Sequence, residues 1–198
     1  MEKIADYIIA FLLKRQLMDK EDANVYHYAL CLVLLYVANI LTLICVGIVL
    51  KQVVVILLFL LFFIPLRTTA GGYHCKTRLH CYLCSVLSVS ILLVLEQKLS
   101  IVIQVIAAIS LIPISVLVPM ESHNKPLELW EKEKYKHKAR IYLLIYLLVY
   151  FFVRFYEIVR VQKALEMAVG MVGVLVFASV LEEIMIKGKN ISCNKINS

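Results

Sequence analysis

The chain has 198 residues, 62% of them hydrophobic and 18% charged, with a formal net charge of +7 and a mean hydropathy of +0.87. Soluble domains carry about 45–50% apolar residues. That leaves too little polar surface to coat a water-soluble sphere, so the expectation is a helical membrane protein.

The chain opens with EKIADYIIAFLLKRQL, residues 2–17. Its apolar centre is short, Lys14-Arg15 follows it, and no small-residue cleavage site is present, so a signal peptide is not expected. Ile4, Ile8, Phe11 and Leu12 recur at helical spacing among Glu2, Lys3, Asp6 and Lys14. That pattern suits an amphipathic helix in the membrane interface, or an ordinary lead-in to the first span.

Six hydrophobic segments follow. Tyr28–Leu50 has 23 residues and no formal charge, and Leu99–Met120 has 22. Both exceed the roughly 20 residues that cross a hydrocarbon core. Ile141–Val153, continuing past Arg154, and Ala164–Leu181 read as further spans. Val53–Leu66 and Tyr82–Leu95 have only 14 residues each, about 21 Å of helix. Such spans thin the bilayer, recruit polar flanks or fail to cross. Residues 67–81 between them are therefore drawn towards the membrane. No internal repeat, low-complexity tract or soluble domain interrupts the pattern. The expected architecture is all-α and polytopic, one integral domain over 1–198. Residues 1–27 form the interfacial lead-in, 28–181 the bundle and 182–198 a polar tail.

Basic residues orient this scheme. With the N-terminus cytoplasmic, residues 1–27, 67–81, 121–140 and 182–198 lie inside and hold 16 of the 21 Lys and Arg. The outside turns hold the other five: Lys51, Lys98, Arg154, Arg160 and Lys163. Positive charge favours cytoplasmic loops. Both termini and the 67–81 segment are thus expected on the cytoplasmic side of the cell membrane, and the net charge calls for no nucleic-acid partner.

Chemistry concentrates in one place. RTTAGGYHCKTRLHCYLC, residues 67–84, holds Cys75, Cys81, Cys84, His74 and His80. In a reducing compartment, such a cluster is more often catalytic or metal-binding than disulfide-forming. A thiol beside an imidazole makes a nucleophile, and a helix N-terminus favours the thiolate further. Cys81 stands where a span should begin. On one continuous helix His74 and Cys81 would sit about 10 Å apart, so their pairing requires a loop that folds back. Gly71-Gly72 supplies that bend, and its N–H groups suit an oxyanion. His80 and Cys84, four apart, would meet on a helical face. Spacing alone does not choose between the two pairs. Cys81-x-x-Cys84 with His74 or His80 also offers three or four soft ligands, so a metal-binding membrane protein or transporter is the alternative. Asn39, Ser85 and Glu121 are candidate orienters without a distinguishing signal.

The spacing R-x-x-x-G-G-x-H-x-x-x-x-x-x-C, here Arg67, Gly71, Gly72, His74 and Cys81, resembles the signature of the accessory gene regulator B (AgrB) family. A later P-x-E-x-x-N-K-P-L, from Pro119 to Leu127, resembles that family's basic loop. The resemblance covers nearly the whole chain. It implies a membrane cysteine endopeptidase of quorum sensing that cuts the C-terminal part from an AgrD-type precursor peptide and supports thiolactone closure. Carried over, Cys81 is the nucleophile and His74 the general base and acid. Arg67, Gly71 and Gly72 support them, with Arg67 bracing the loop. Cys75, His80 and Cys84 fall outside the pattern. Lys125 and Glu121 are the substrate-binding candidates, and Lys125 with the Lys132–Arg140 run would attract an acidic precursor tail and membrane lipid. No cofactor is expected, and a homodimer is compatible with the resemblance.

Overall fold

The computed structural model describes residues 2–15, 17, 19–20, 22–71, 77–120 and 129–196, with side chains described except at 78, 129 and 186–196. Among the described residues there are seven helices: α1 (Glu2–Lys14), α2 (Ala23–Val49), α3 (Val53–Ala70), α4 (Arg78–Lys98), α5 (Ser100–Leu117), α6 (Leu129–Phe155) and α7 (Val159–Ile196). Five of them, α2, α3, α4, α5 and α7, are long and apolar enough to cross a membrane. The apolar run 141–153 forms the second half of α6, whose first half carries the basic residues. The chain is thus a multi-pass, all-α membrane protein.

The two short apolar runs form helices longer than themselves. α3 has 18 residues and α4 has 21, about 27 and 31 Å. Polar flanks make up the difference. Arg67, Thr68 and Thr69 continue α3, and α4 starts before its apolar run, at Arg78. The threonine hydroxyls are satisfied within the helix, bonding back to the carbonyls of Pro65 and Leu66. The 99–120 run, by contrast, ends its helix early. α5 stops at Leu117, and Val118 is extended, as a residue before proline prefers.

α7 is the hub. Every residue from Ala164 to Gly173 is buried, the state expected of a helix enclosed on all sides. It packs most extensively against α5 and α3. Small residues make the α5 contact close. A side chain at Gly173 would overlap Ser110, and one at Gly170 would touch Ile106 and Ala107. Between helices in lipid, such close approach supplies the attraction that hydrophobicity cannot, because lipid tails are as apolar as leucine. Around this seam two apolar clusters fill the bundle. One joins Phe59, Leu93, Ile103 and Met167; the other joins Leu66, Ile114, Leu143 and Val172.

Polar bonds fix the remaining helices. Asn39 Nδ2 donates to Ser85 Oγ at 2.9 Å, and the Thr42 and Tyr82 hydroxyls meet at 2.7 Å, joining α2 to α4. The Tyr146 hydroxyl donates to the Phe62 carbonyl, tying α6 to α3. At one end of the bundle Lys163 Nζ meets Glu96 Oε2 at 3.0 Å, with Glu96 only 1% exposed. One turn along α7, Glu166 accepts from Gln162 at 2.8 Å and from Tyr150 at 3.4 Å.

α1 lies against α2, burying Ala5 and Ile9, and Asp6 pairs with His27 at 3.0 Å. The expected apolar stripe divides between two faces: Ile4 and Phe11 are exposed, along with Tyr7. The helix thus has one face on the bundle and another suited to the membrane interface.

Two outcomes test this packing. Gly173→Val should prevent α5 and α7 from closing and destabilise the protein by about 1–3 kcal/mol or more, read as a lower Tm in detergent. Lys163→Met leaves Glu96 buried without its partner and should cost about 3–5 kcal/mol. The Glu96→Met/Lys163→Met double variant should regain most of that loss in the same assay.

Candidate functional site

Cys81 lies in the first turn of α4. Thr77 precedes the helix with extended backbone (φ −121°, ψ 149°), and its hydroxyl accepts from the His80 amide at 3.3 Å, an N-cap that satisfies one of the free amides of the helix start. The Cys81 amide closes the first turn on the Thr77 carbonyl at 3.1 Å. A single helix across 74–81 is therefore excluded, because Thr77 breaks it. Cys81 is half-buried and free of disulfide bonding. Its neighbour Tyr82 holds Thr42, so the turn that carries the thiol is fixed to the middle of α2.

Arg67 approaches from the last turn of α3. The residue is half-buried as a whole, with Nη1 of its guanidinium shut off from solvent, and its ionisable neighbours are Cys81 of α4 and Tyr36 of α2. Three helices thus contribute to one locus. Tyr36 went unmarked in the sequence, where it is one aromatic among many in a span. Asn39 and Ser85 do come together, but they bond to each other, which links helices.

The rival pair is arranged differently. The His80 ring nitrogen Nδ1 bonds the Thr77 hydroxyl, which makes His80 part of the cap. Cys84 is exposed one turn further on, where its carbonyl accepts from Ser88 at 2.6 Å. His74, Cys75, Gly72, Glu121 and Lys125 lie outside the described residues. Among the described residues, which include Cys81, Cys84 and His80, no three His, Cys, Asp or Glu side chains gather around a possible metal ion; of the metal alternative's ligands only His74 lies outside them.

Gly71 ends α3 with φ 67° and ψ −142°, a conformation open in practice to glycine alone. It forms a one-residue parallel bridge with Met120, and the Met120 amide donates to the Ala70 carbonyl at 2.9 Å. A Cβ at 71 would overlap the Met120 carbonyl oxygen. This contact brings the end of the Arg67–Gly71 segment against the residue before Glu121, so the two sequence motifs adjoin in space although they are far apart along the chain. Gly71→Ala should part the two strands of this bridge. Faster proteolysis between α3 and α4, with the membrane bundle still folded, is the expected result.

No curated protein and no solved structure gives a significant match to the chain. The family model described as accessory gene regulator B matches residues 1–186. That span includes every helix that builds the Arg67–Cys81 locus, and the chain belongs to the accessory gene regulator B (AgrB) family, as a membrane protein of that system.

Proposed function

We propose that the protein is a cysteine endopeptidase that cleaves an AgrD-type precursor peptide and passes the acyl group on to form a thiolactone. The observation that supports this most is the setting of Cys81: a half-buried thiol in the first turn of a helix, beside an arginine. Cations and helix N-termini are the surroundings in which a thiolate is favoured. His74 is the proposed base and acid. It lies three positions before Thr77, a reach of at most about 11 Å, and Cys81 lies about 6 Å beyond Thr77 along the helix. Connectivity therefore permits the imidazole to meet the thiol.

The reaction balances with these groups alone. The Cys81 thiolate attacks a peptide carbonyl carbon and a C–S bond forms. The C–N bond breaks as the His74 imidazolium delivers its proton to the leaving amine. The C-terminal fragment departs and the rest of the peptide stays on Cys81 as a thioester. A cysteine thiol within the peptide gives its proton to His74 and attacks that thioester. The Cys81 thiolate leaves, and the peptide closes as a thiolactone. Exchange of one thioester for another changes bond energy little, so the competing reaction is attack by water. A site drawn into the bundle disfavours that competitor.

In this reading Arg67 stabilises the sulfur anion, Gly71 and Gly72 shape the turn between Cys81 and the 121 loop, and Glu121 and Lys125 engage the precursor. Membrane lipid surrounds the bundle, and the Cys81 end faces the cytoplasm with both termini.

Co-expression with an AgrD-type precursor tests the assignment. Cys81→Ala should abolish cleavage, His74→Ala should lower it about 10²–10⁴-fold, and Cys75→Ala and Cys84→Ala should retain it. Loss in the Cys84 variant with retention in the Cys81 variant would transfer the role to the His80 pair. Stoichiometric zinc on which cleavage depends would favour the metal alternative. Arg67→Gln should lower cleavage, and Arg67→Lys should retain more of it. A cysteine introduced at position 134 should resist impermeant reagent applied from outside the cell.

A further inference from the structure

The end of the bundle opposite Cys81 gathers the turns between α2 and α3, α4 and α5, and α6 and α7. A cavity of about 510 Å³ opens there between the start of α3 and the start of α7. Lys51, Arg160 and Lys163 line it, no acidic residue among the described residues does, and Val53–Val55 form its apolar wall. Three of the five cations at this end thus converge on one space.

The charges there are unequally satisfied. Lys163 is paired with Glu96. Lys51 and Arg160 are exposed, and no ion pair joins either of them to an acid among the described residues. The backbone adds to the positive field. α3 starts here with Gln52 as an N-cap that makes no side-chain bond, and neither α3 nor α7 has an acid in its first turn. Free amides and the helix dipole favour an anion at such a point. Lys51 itself adopts φ 57°, a left-handed conformation uncommon outside glycine and asparagine.

The surroundings say what kind of anion fits. Val49, Val54 and Val159, beside the cations, are 80%, 46% and 54% exposed. On a membrane protein such surface faces acyl chains. A ligand here meets cations on one side and hydrocarbon on the other, so it must be an anion carried on an apolar chain.

We propose that this cavity binds the phosphate headgroup of an anionic phospholipid, in the leaflet opposite Cys81, with the phosphate between Lys51 and Arg160 and an acyl chain along the valines. The site is independent of the peptide chemistry assigned to Cys81. It also gives a physical role to positive charge at the end of the bundle where the distribution of Lys and Arg otherwise keeps it scarce.

Purified protein in neutral detergent, titrated with phosphatidylglycerol, phosphatidylcholine or inorganic phosphate, tests it. Native mass spectra and Tm are the readouts. Phosphatidylglycerol should stay bound and raise Tm by several degrees. Phosphatidylcholine and inorganic phosphate should not, and high salt should strip the bound lipid. Lys51→Gln/Arg160→Gln should lose the effect. Lys98→Gln/Arg154→Gln, which removes two cations of the same end that do not line the cavity, should keep it. Equal retention by the two variants, or equal binding of phosphatidylcholine, overturns the proposal. The same Tm rise with inorganic phosphate alone would assign the cavity to a free anion and overturn the lipid. Lipid adducts that survive high salt would overturn the electrostatic basis even if the Lys51 variant failed to fold.

Discussion

The α5–α7 seam is the constraint on which the bundle rests. At Gly173 the two helices come so close that Ser110 occupies the space of a side chain. Lipid gives no hydrophobic reward for bringing two apolar helices together, so contact must come from close fit. The consequence reaches the functional face. α7 also packs on α3, whose last turn holds Arg67, and on α5, whose trailing residues end at Met120. The positions of the arginine and of the Gly71 bridge therefore follow from a contact made deep in the bundle.

α4, which bears Cys81, is held in another way. It shares the apolar cluster around Phe59 through Val89 and Leu93, near its far end. Closer to Cys81 its fixed points are the Ser85 and Tyr82 bonds to Asn39 and Thr42 of α2. The turn that carries Cys81 is thus registered by directional bonds, which fix position more sharply than apolar contacts do. The nucleophile proposed for this turn would have to meet a carbonyl within a fraction of an ångström and would gain from such support.

Much of this was legible in the sequence. Hydrophobic runs located the bundle, and the unusual density of Cys, His and Gly at 67–84 singled out the candidate site. The motif spacing identified the family. What escaped was everything that depends on contact between distant positions. Val53–Leu66 reads as a short span because Arg67, Thr68 and Thr69 look like loop residues. The two threonine hydroxyls are satisfied by carbonyls of the preceding turn, a local pairing that hydropathy does not register. The Leu99–Met120 run reads as one helix because proline is apolar, yet Pro119 forces extended backbone before it. Tyr36 carries no local signal, since only the fold places it near Arg67. Glu96 and Lys163 looked like ordinary turn charges, and burial makes them a structural pair.

The bridge at Gly71 has a consequence for how this face tolerates sequence drift. It is made by main-chain atoms on both sides, with the Met120 amide on the Ala70 carbonyl and the Gly71 α-carbon against the Met120 carbonyl. The side chain at 120 takes no part in those contacts and packs instead on the apolar cluster around Leu66 and Ile114, so that position can vary among apolar residues. Position 71 has no such latitude. One partner of the pair can diverge without compensation by the other, and co-variation between them would be silent even though they touch.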